Sequence, residues 1–375
     1  MRISFFLIFF VVVMALLNYY IYKRFFKKLD YPFNRYASVI PSLLMLGEFV
    51  FVIEAISRIF IDSLALYWLF SATIGITFVL FVITLVYDLN LSLFKRIPYQ
   101  HKRRKFIKIM FDTTMLILAL SYLFRGFKGG FSEPVLNTVD VAIEGFSKEG
   151  YVIMQLSDLH VGRTIKKSFV ETLVTRTNAQ HPNIIVITGD LVDHSLDAIK
   201  EDLSPLQKLN APTYFILGNH EYFHGATEII AHMRSLGITV LLNESLRIKN
   251  GESHFNLIGL TDVLGERIGE YPMEIEKAYQ ETDSTLPCII LAHQPKTILR
   301  LEKRACDLML SGHTHGGQIF PFGLLVMLDQ PYLSGLHRHD TQKQIFVSRG
   351  TGYWGPPLRV LAPSEISKIV IRGSV

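Results

Sequence analysis

The stretch IIVITGDLVD, residues 184–193, decides the fold. Ile184–Thr188 is an unbroken apolar run, the pattern of a strand covered on both faces in an α/β sheet. It stops at Gly189, where the chain can turn sharply, and the next residue is Asp190, with Asp193 three further on. A strand holds its terminal residue rigidly. A carboxylate placed there sits outside the carboxyl edge of the sheet, where open α/β sheets build their sites.

Working outward, the same arrangement recurs. Tyr151–Leu156 runs into Ser157-Asp158-Leu159-His160, and Tyr214–Leu217 into Gly218-Asn219-His220-Glu221. Cys288–Ala292 runs into His293-Gln294-Pro295, and Asp307–Leu310 into Ser311-Gly312-His313-Thr314-His315. Further short apolar strands are expected at Thr138–Ile143, Ile238–Leu242, Phe255–Gly259 and Ile345–Ser348, with helices at Lys167–Gln180 and Thr227–Leu236. Strands alternating with helices predict an α/β domain. In Asp158-x-His160 and His313-x-His315 the i and i+2 side chains share a face of an extended segment, so two ligands can converge on one ion or on two adjacent ions. The donors are Asp, His and Asn without cysteine, a set that suits Mn, Fe, Zn, Ni or Co and does not distinguish among them. Two Asp, one Asn and four His exceed the needs of one ion, and a pair of divalent cations about 3.5–4 Å apart bridged by a carboxylate fits the count.

The ordered set Asp158-x-His160, Gly189-Asp190-x-x-Asp193, Gly218-Asn219-His220-Glu221, His293 and Gly312-His313-Thr314-His315 resembles the calcineurin-like metallophosphoesterase superfamily over about residues 150–370. The wording SDLHVG, LGNHEYF, LAHQP and SGHTHGGQI is similar to a bacterial branch containing YkuE-like and YaeI-like phosphoesterases. Apolar spans ahead of such a domain also resemble the animal transmembrane proteins with a metallophosphoesterase domain. The resemblance implies two packed mixed sheets flanked by helices. It implies that Asp158, His160 and His315 hold one metal, that Asn219, His293 and His313 hold the other, and that Asp190 bridges them. It also implies that His220 is a non-ligand histidine that contacts phosphate and protonates the leaving group. The chemistry that follows is in-line attack on phosphorus by a hydroxide bridging the two cations. Asp193 and Glu221 are expected to orient ligands, and Arg349 is a candidate contact to substrate phosphate. His181, His194, His224, His254, His337 and His339 are expected to stand apart from this chemistry. Cys288 and Cys306 read as buried thiols, with a disulfide as the alternative.

The 375 residues carry a net charge of +5, a pI near 9.0 and a mean hydropathy of +0.29. The charge is unevenly divided. Residues 1–128 hold 16 Lys/Arg against 6 Asp/Glu, and residues 129–375 hold 22 against 27. The basic excess therefore belongs to an apolar first third, and no nucleic-acid partner is expected from it. Apolar runs at 3–22, 38–56, 64–87 and 107–124 approach the roughly 20 residues that a membrane helix needs, giving a transmembrane region at 1–128. A linker and first strand follow at 129–149, with FKGGF at 127–131 and Pro134 marking the break, and a catalytic domain at 150–375. Within the spans, Glu48 reads as a protonated or helix-paired carboxyl, with a functional role as the alternative, and Glu54 as paired with Arg58 one turn on.

Lys/Arg in the loops after the first and third runs (Lys23, Arg24, Lys27, Lys28 and Arg35; then Lys95, Arg96, Lys102–Lys105 and Lys108) number 12, against 4 at Arg2, Arg58, Arg125 and Lys128. Positively charged loops stay in the cytoplasm. The N-terminus and the catalytic domain are then expected on the outer face of the cell membrane.

A phosphorylated substrate is expected, with lipid-linked phosphate or pyrophosphate favoured by the anchor and membrane lipid as a further partner. No protein partner is identifiable. One specific version is hydrolysis of a UDP-linked acylated sugar pyrophosphate, as in some relatives of the family it resembles; that would prefer a cytoplasmic catalytic face, which the charge count disfavours. The competing reading is a non-catalytic, metal-stabilised membrane scaffold. A reporter joined after Val375 is expected to be active only outside the cytoplasm, and activity confined to the cytoplasm would reverse the topology.

Overall fold

The computed structural model describes every residue except Met1, 31–32, 58–62, 95–100, 147–149, 251–252 and Val375. The chain divides into two units. One is Met1–Phe131 together with Gly355–Val360, and the other is Ser132–Trp354 together with Leu361–Val375.

The first unit contains α1 (Arg2–Arg24), α2 (Val39–Ser57), α3 (Leu64–Phe94) and α4 (His101–Phe131), each long and apolar enough to cross a membrane. Each expected apolar run falls on one of them. Their shared core holds Ile21, Phe25, Leu44, Leu80, Tyr87 and Met115. An ionised group in lipid is costly, so such groups pair with one another or with neighbouring dipoles. Glu48 of α2 accepts from Asn18 Nδ2 of α1 (2.8 Å) and Thr77 Oγ1 of α3 (2.5 Å). Asp112 of α4 accepts from Tyr87 Oη (2.8 Å) and Lys108 Nζ (2.6 Å), and Asp88 of α3 pairs with Lys28 at 3.0 Å and with Arg24. The expected Glu54–Arg58 pair rests on Arg58, which lies outside the described residues, as do Lys95 and Arg96.

The FKGGF stretch is not a linker. It forms the last turns of α4, which continues to Phe131. Its two glycines read as a break because glycine weakens helices, yet here they let another backbone approach. A Cβ on Gly130 would lie 2.0 Å from the Pro357 carbonyl oxygen, and one on Gly129 would lie 2.3 Å from that of Arg359. The Arg359 amide donates to Gly126 O at 2.9 Å, so Gly355–Val360 is held against α4 through backbone.

The second unit is an α/β sandwich. Its strands are β1 (Val135–Glu144), β2 (Tyr151–Leu156), β3 (Ile184–Thr188), β4 (Thr213–Ile216), β5 (Thr239–Val240), β6 (Glu244–Asn250), β7 (Ser253–Gly259), β8 (Cys288–Leu291), β9 (Leu308–Ser311), β10 (Gly335–Arg338), β11 (Gln344–Val347) and β12 (Glu365–Ser374). One sheet has the order β1-β12-β2-β3-β4-β5 and the other β10-β11-β9-β8-β7-β6. In the first, β2, β3, β4 and β5 are parallel and β12 runs against β2. In the second, β7, β8, β9 and β11 are parallel, with β6 and β10 antiparallel at the edges. All five residues of β3 are buried, as a strand covered on both faces requires.

Side chains of β2, β3, β7, β8 and β9 interdigitate between the sheets, among them Ile153, Val186, Leu257, Ile289 and Leu310. The helices are α5 (Lys167–Asn178), α6 (Leu196–Leu203), α7 (Asn219–His224), α8 (Ala226–Ser235), α9 (Leu264–Ile268), α10 (Ile275–Ala278) and α11 (Gly323–Val326). Helices α5 and α8 cover the outer face of the first sheet through Val170, Leu173, Ile229 and Met233 against Met154, Ile185 and Phe215. The parallel strands of both sheets thus deliver their carboxyl ends to a common edge.

Inserting bulk where backbones touch costs about 1–3 kcal/mol. Gly130→Val is therefore expected to lower the thermal midpoint of the detergent-solubilised chain by several degrees, read by differential scanning fluorimetry. An unchanged midpoint would deny the contact.

Candidate metal centre

The five strand-end clusters meet. Ligand atoms of Asp158, His160 and His315 lie within 4.8 Å of one another, as do those of Asp190, His293 and His313. Asn219 joins the second group, its Oδ1 standing 3.1 Å from His293 Nε2. His220 Nε2 lies 3.9 Å from Asp190 Oδ2. Every residue expected to hold metal is thus in one of two adjoining groups.

The backbone at these positions is unusual. Asp158 (φ 53°), His160 (52°), Asp190 (49°), His313 (71°) and His315 (50°) all adopt left-handed conformations, which cost a residue with a side chain of order 1 kcal/mol each. Space is also tight, and it excludes a Cβ before two of the ligand-bearing turns. On Gly312 it would stand 2.2 Å from Asp158 Oδ2, and on Gly218 it would stand 2.3 Å from Asp190 Oδ1.

Hydrogen bonds fix which ring nitrogens are free. Nδ1–H of His293 donates to Thr188 O (2.8 Å), and Nδ1–H of His160 to Asp193 Oδ1 (2.8 Å). Each ring therefore presents a bare Nε2 lone pair to the site. His293 Nε2 then faces Asp190 Oδ2 at 3.1 Å, Asn219 Oδ1 at 3.1 Å and His313 Nδ1 at 3.2 Å. His160 Nε2 faces His315 Nε2 at 3.0 Å, and His315 Nε2 is 3.5 Å from Asp158 Oδ1. Electron-rich atoms converge at two points without enough protons to share, which is the chemistry of a cation site, and the N/O donor set fits divalent metal ions.

Burial of Asp158 pushes its carboxyl up, with Asp190 adding to the effect against the pull of His293 and His160. Burial also acts to raise Asp190, but His293 and His220 outweigh it and hold that carboxyl well below the usual range. Burial acts to lower His220, yet Asp190 and Asp193 prevail and raise it to about 9. His313, buried beside His293, is pushed down to about 3. Bound cations would oppose the rise of His220, because they are the largest local charges in such a site.

The supporting residues are equally ordered. Glu221 is fully buried and accepts three backbone N–H groups, from Gly218 (2.6 Å), Asp190 (3.0 Å) and Leu191 (2.8 Å). It therefore holds the turns that carry Asp190 and Asn219. Asp193 Oδ1 reaches both His160 Nδ1 (2.8 Å) and His220 Nδ1 (2.6 Å), so it orients two rings. Arg349 donates from Nε to Glu365 of β12 at 2.7 Å, a pairing that anchors the loop after β11.

Sequence reasoning passed over Gln155, a polar residue inside β2. It donates to Thr188 Oγ1 and Ser311 O (both 2.9 Å), tying β2 and β3 to β9 across the two sheets, while Thr188 and Ser157 continue the chain of hydrogen bonds to Asp158. A lone glutamine in an apolar strand was the available signal. It also passed over Asp262, buried and bonded by Gln294 Nε2 at 3.0 Å. Phe223 and Trp354 flank His220 with ring centroids at 5.8 and 6.1 Å. Cys288 and Cys306 are separate buried thiols. His337 and His339 bond to Ser334 O and to the Tyr332 hydroxyl, and His194 to Ser195.

Residues 151–317 match the family described as calcineurin-like phosphoesterase. A metallophosphoesterase of Helicobacter pylori is 39% identical over 329 residues, 87% of this chain and 86% of that one. The transmembrane protein with metallophosphoesterase domain of Danio rerio is 33% identical over 70% of this chain and 63% of its own length. The metallophosphoesterase YkuE of Bacillus subtilis is 29% identical over 72% of this chain and 98% of its own.

Removing a buried group that orients metal ligands costs roughly 10–100-fold in metal affinity. Glu221→Gln places an amide N–H against backbone donors, so a loss of that size is expected in dialysis against metal buffers, with the far-ultraviolet dichroism retained. Wild-type affinity would remove Glu221 from this role.

Proposed function

This chain belongs to the calcineurin-like phosphoesterase family, and from that premise we propose that it is a membrane-anchored hydrolase with two divalent cations, acting on a phosphate or pyrophosphate bond of a lipid-linked substrate. The chain is a metal-dependent phosphoester hydrolase by family, its substrate is phosphorylated, and its four apolar helices associate it with a membrane. The observation that carries the two-cation reading is the pair of adjoining groups with His220 beside them, and the four apolar helices support a lipid-linked substrate.

In this reading Asp158, His160 and His315 would hold one cation, Asn219, His293 and His313 would hold the other, and Asp190 would serve both. Bound cations supply Lewis acidity, lowering the pKa of water and neutralising charge on phosphoryl oxygens. The chain's own residues supply the rest. Asp193 holds the His220 ring by Nδ1, leaving Nε2 turned toward Asp190, where it can contact the phosphoryl group and donate a proton to the departing oxygen. Asp190 and Asp193 favour the protonated ring, and bound cations would oppose them. Phe223 and Trp354 flank the proton donor with edge-on rings. The excess of Lys/Arg in two loops supports the outer face as the catalytic side. Retention of His220 favours catalysis over a metal-stabilised scaffold, since a structural site needs no such group.

Loss of a positioned general acid costs about 10²–10⁴-fold. With a p-nitrophenyl phosphodiester and Mn²⁺, His220→Ala is expected to lose at least that lower factor in kcat at unchanged metal content, whereas Asp190→Asn loses metal and activity together. Near-normal turnover by His220→Ala would sink its assignment, and inactivity of the metal-loaded wild type over a panel of lipid and nucleotide phosphates would favour the scaffold.

A further inference from the structure

Ten consecutive residues, Ile319–Leu328 (IFPFGLLVML), carry no charge and no polar side chain. They begin four residues after His315. The usual fate of such a run is burial, yet Phe320, Phe322, Leu324, Leu325, Met327 and Leu328 are between 41% and 83% exposed. An exposed apolar cluster of this kind marks an interaction surface.

The loop is anchored to the metal-bearing turns. At its start, Gln318 donates from Nε2 to Trp354 O (2.8 Å) and accepts from Trp354 N (3.0 Å). At its end, the buried Gln330 donates to Gln294 Oε1 (3.1 Å), next to His293, and accepts from Lys296 N (3.0 Å). Thr314, between His313 and His315, donates to Leu333 O at 2.6 Å. Both ends are thus bonded to residues adjoining the centre, and the apolar tip is presented to solvent by construction.

We propose that Ile319–Leu328 is an interfacial lip that inserts into the acyl region of a bilayer leaflet and brings the metal centre to substrate held in that leaflet. Two observations name lipid as the occupant. The same chain carries four helices long and apolar enough to cross a membrane, which would keep a bilayer close at hand. Trp354, bonded to the loop by Gln318, is also the residue from which the chain enters Gly355–Val360, a segment that packs within the membrane-helix unit against Gly126, Gly129 and Gly130. Aromatic and leucine side chains are the apolar composition of a surface-inserting segment, and Asp329, which follows Leu328, is paired with Lys296 Nζ at 2.8 Å. Burying one leucine is worth about 1.5–3 kcal/mol, so a few suffice to hold the lip in lipid. The proposal deepens the reading of a lipid-linked substrate and rests on it for its kinetic consequence alone.

The test uses the full chain reconstituted in phosphatidylethanolamine/phosphatidylglycerol vesicles, with a nitrobenzoxadiazole label on L325C, L328C or, as the control, K303C. The native thiols are buried. A blue-shifted emission quenched by spin-labelled lipid at 325 and 328, but not at 303, is the expected result. Water-like emission at both tip positions overturns the proposal. So does a shift that spin-labelled lipid leaves unquenched and that grows with protein density, which identifies a second copy as the occupant. In a second arm, the triple variant Leu324→Ser, Leu325→Ser, Leu328→Ser should lose at least tenfold in kcat/KM on a vesicle-borne lipid phosphate and keep wild-type kcat/KM on the soluble aryl phosphodiester. Equal kinetics on both substrates overturns the lip. A wild type inactive on either substrate counts against the hydrolase reading, while the fluorescence arm still decides the lip.

Discussion

The second unit depends on a costly backbone arrangement. Asp158, His160, Asp190, His313 and His315 leave their strands through left-handed residues that carry side chains. At of order 1 kcal/mol each, the five together rival the marginal stability of a domain. Such strain persists only where the surroundings over-determine it. Here Glu221 takes three backbone amides, Asp158 receives the His313 amide at 2.9 Å, and Gln155, bonded to Thr188 of β3, crosses to the other sheet at Ser311 O. Below these bonds lies a core filled by side chains of both sheets. A close-packed core cannot yield by small amounts, so the strand ends cannot relax toward ordinary conformations.

The same closeness sets the electrostatics. Asp158 and Asp190 are both buried, and each raises the other's cost of ionising. Their lone pairs, with those of the histidines and Asn219, point inward while the opposite ring nitrogens are committed outward to Asp193 and Thr188. Protons alone meet this arrangement poorly, because each shared proton leaves neighbouring lone pairs facing one another. Divalent cations would satisfy these lone pairs without that conflict. Metal binding and stability are therefore linked, since an ion that binds only the folded arrangement stabilises it by mass action.

Much of this was legible in the sequence, because the relevant signals are local. β2 and β3 were read with their observed boundaries, since apolar runs closed by a polar turn leave little choice of register. The residues expected to hold metal were read from their place after those strands, and the structure brings them together. What escaped depends on distant contacts. β12, whose sequence EISKIVIRGS mixes charge with apolar residues, is a strand because it pairs with both β1 and β2. β6 and β10 are edge strands, exposed enough to lack a clear apolar pattern. Gln155 and Glu221 act by whom they touch across the fold, and spacing along the chain does not encode that.

Glycine shows the limit most clearly. In the strand-end turns a glycine reads as a hinge, and Gly218 and Gly312 are indeed at turns, but their stricter role is to leave room for a carboxylate that a methyl group would displace. In FKGGF the hinge reading fails. The helix runs through both glycines, and the missing side chains admit the backbone of Pro357–Arg359 instead. Propensity treats the two cases alike because it counts only the residue's own freedom. The structure separates them by what occupies the space where Cβ would be. That occupant is a buried carboxylate in one unit and a returning chain segment in the other, so one residue type makes room for a charged group in the first case and for another backbone in the second.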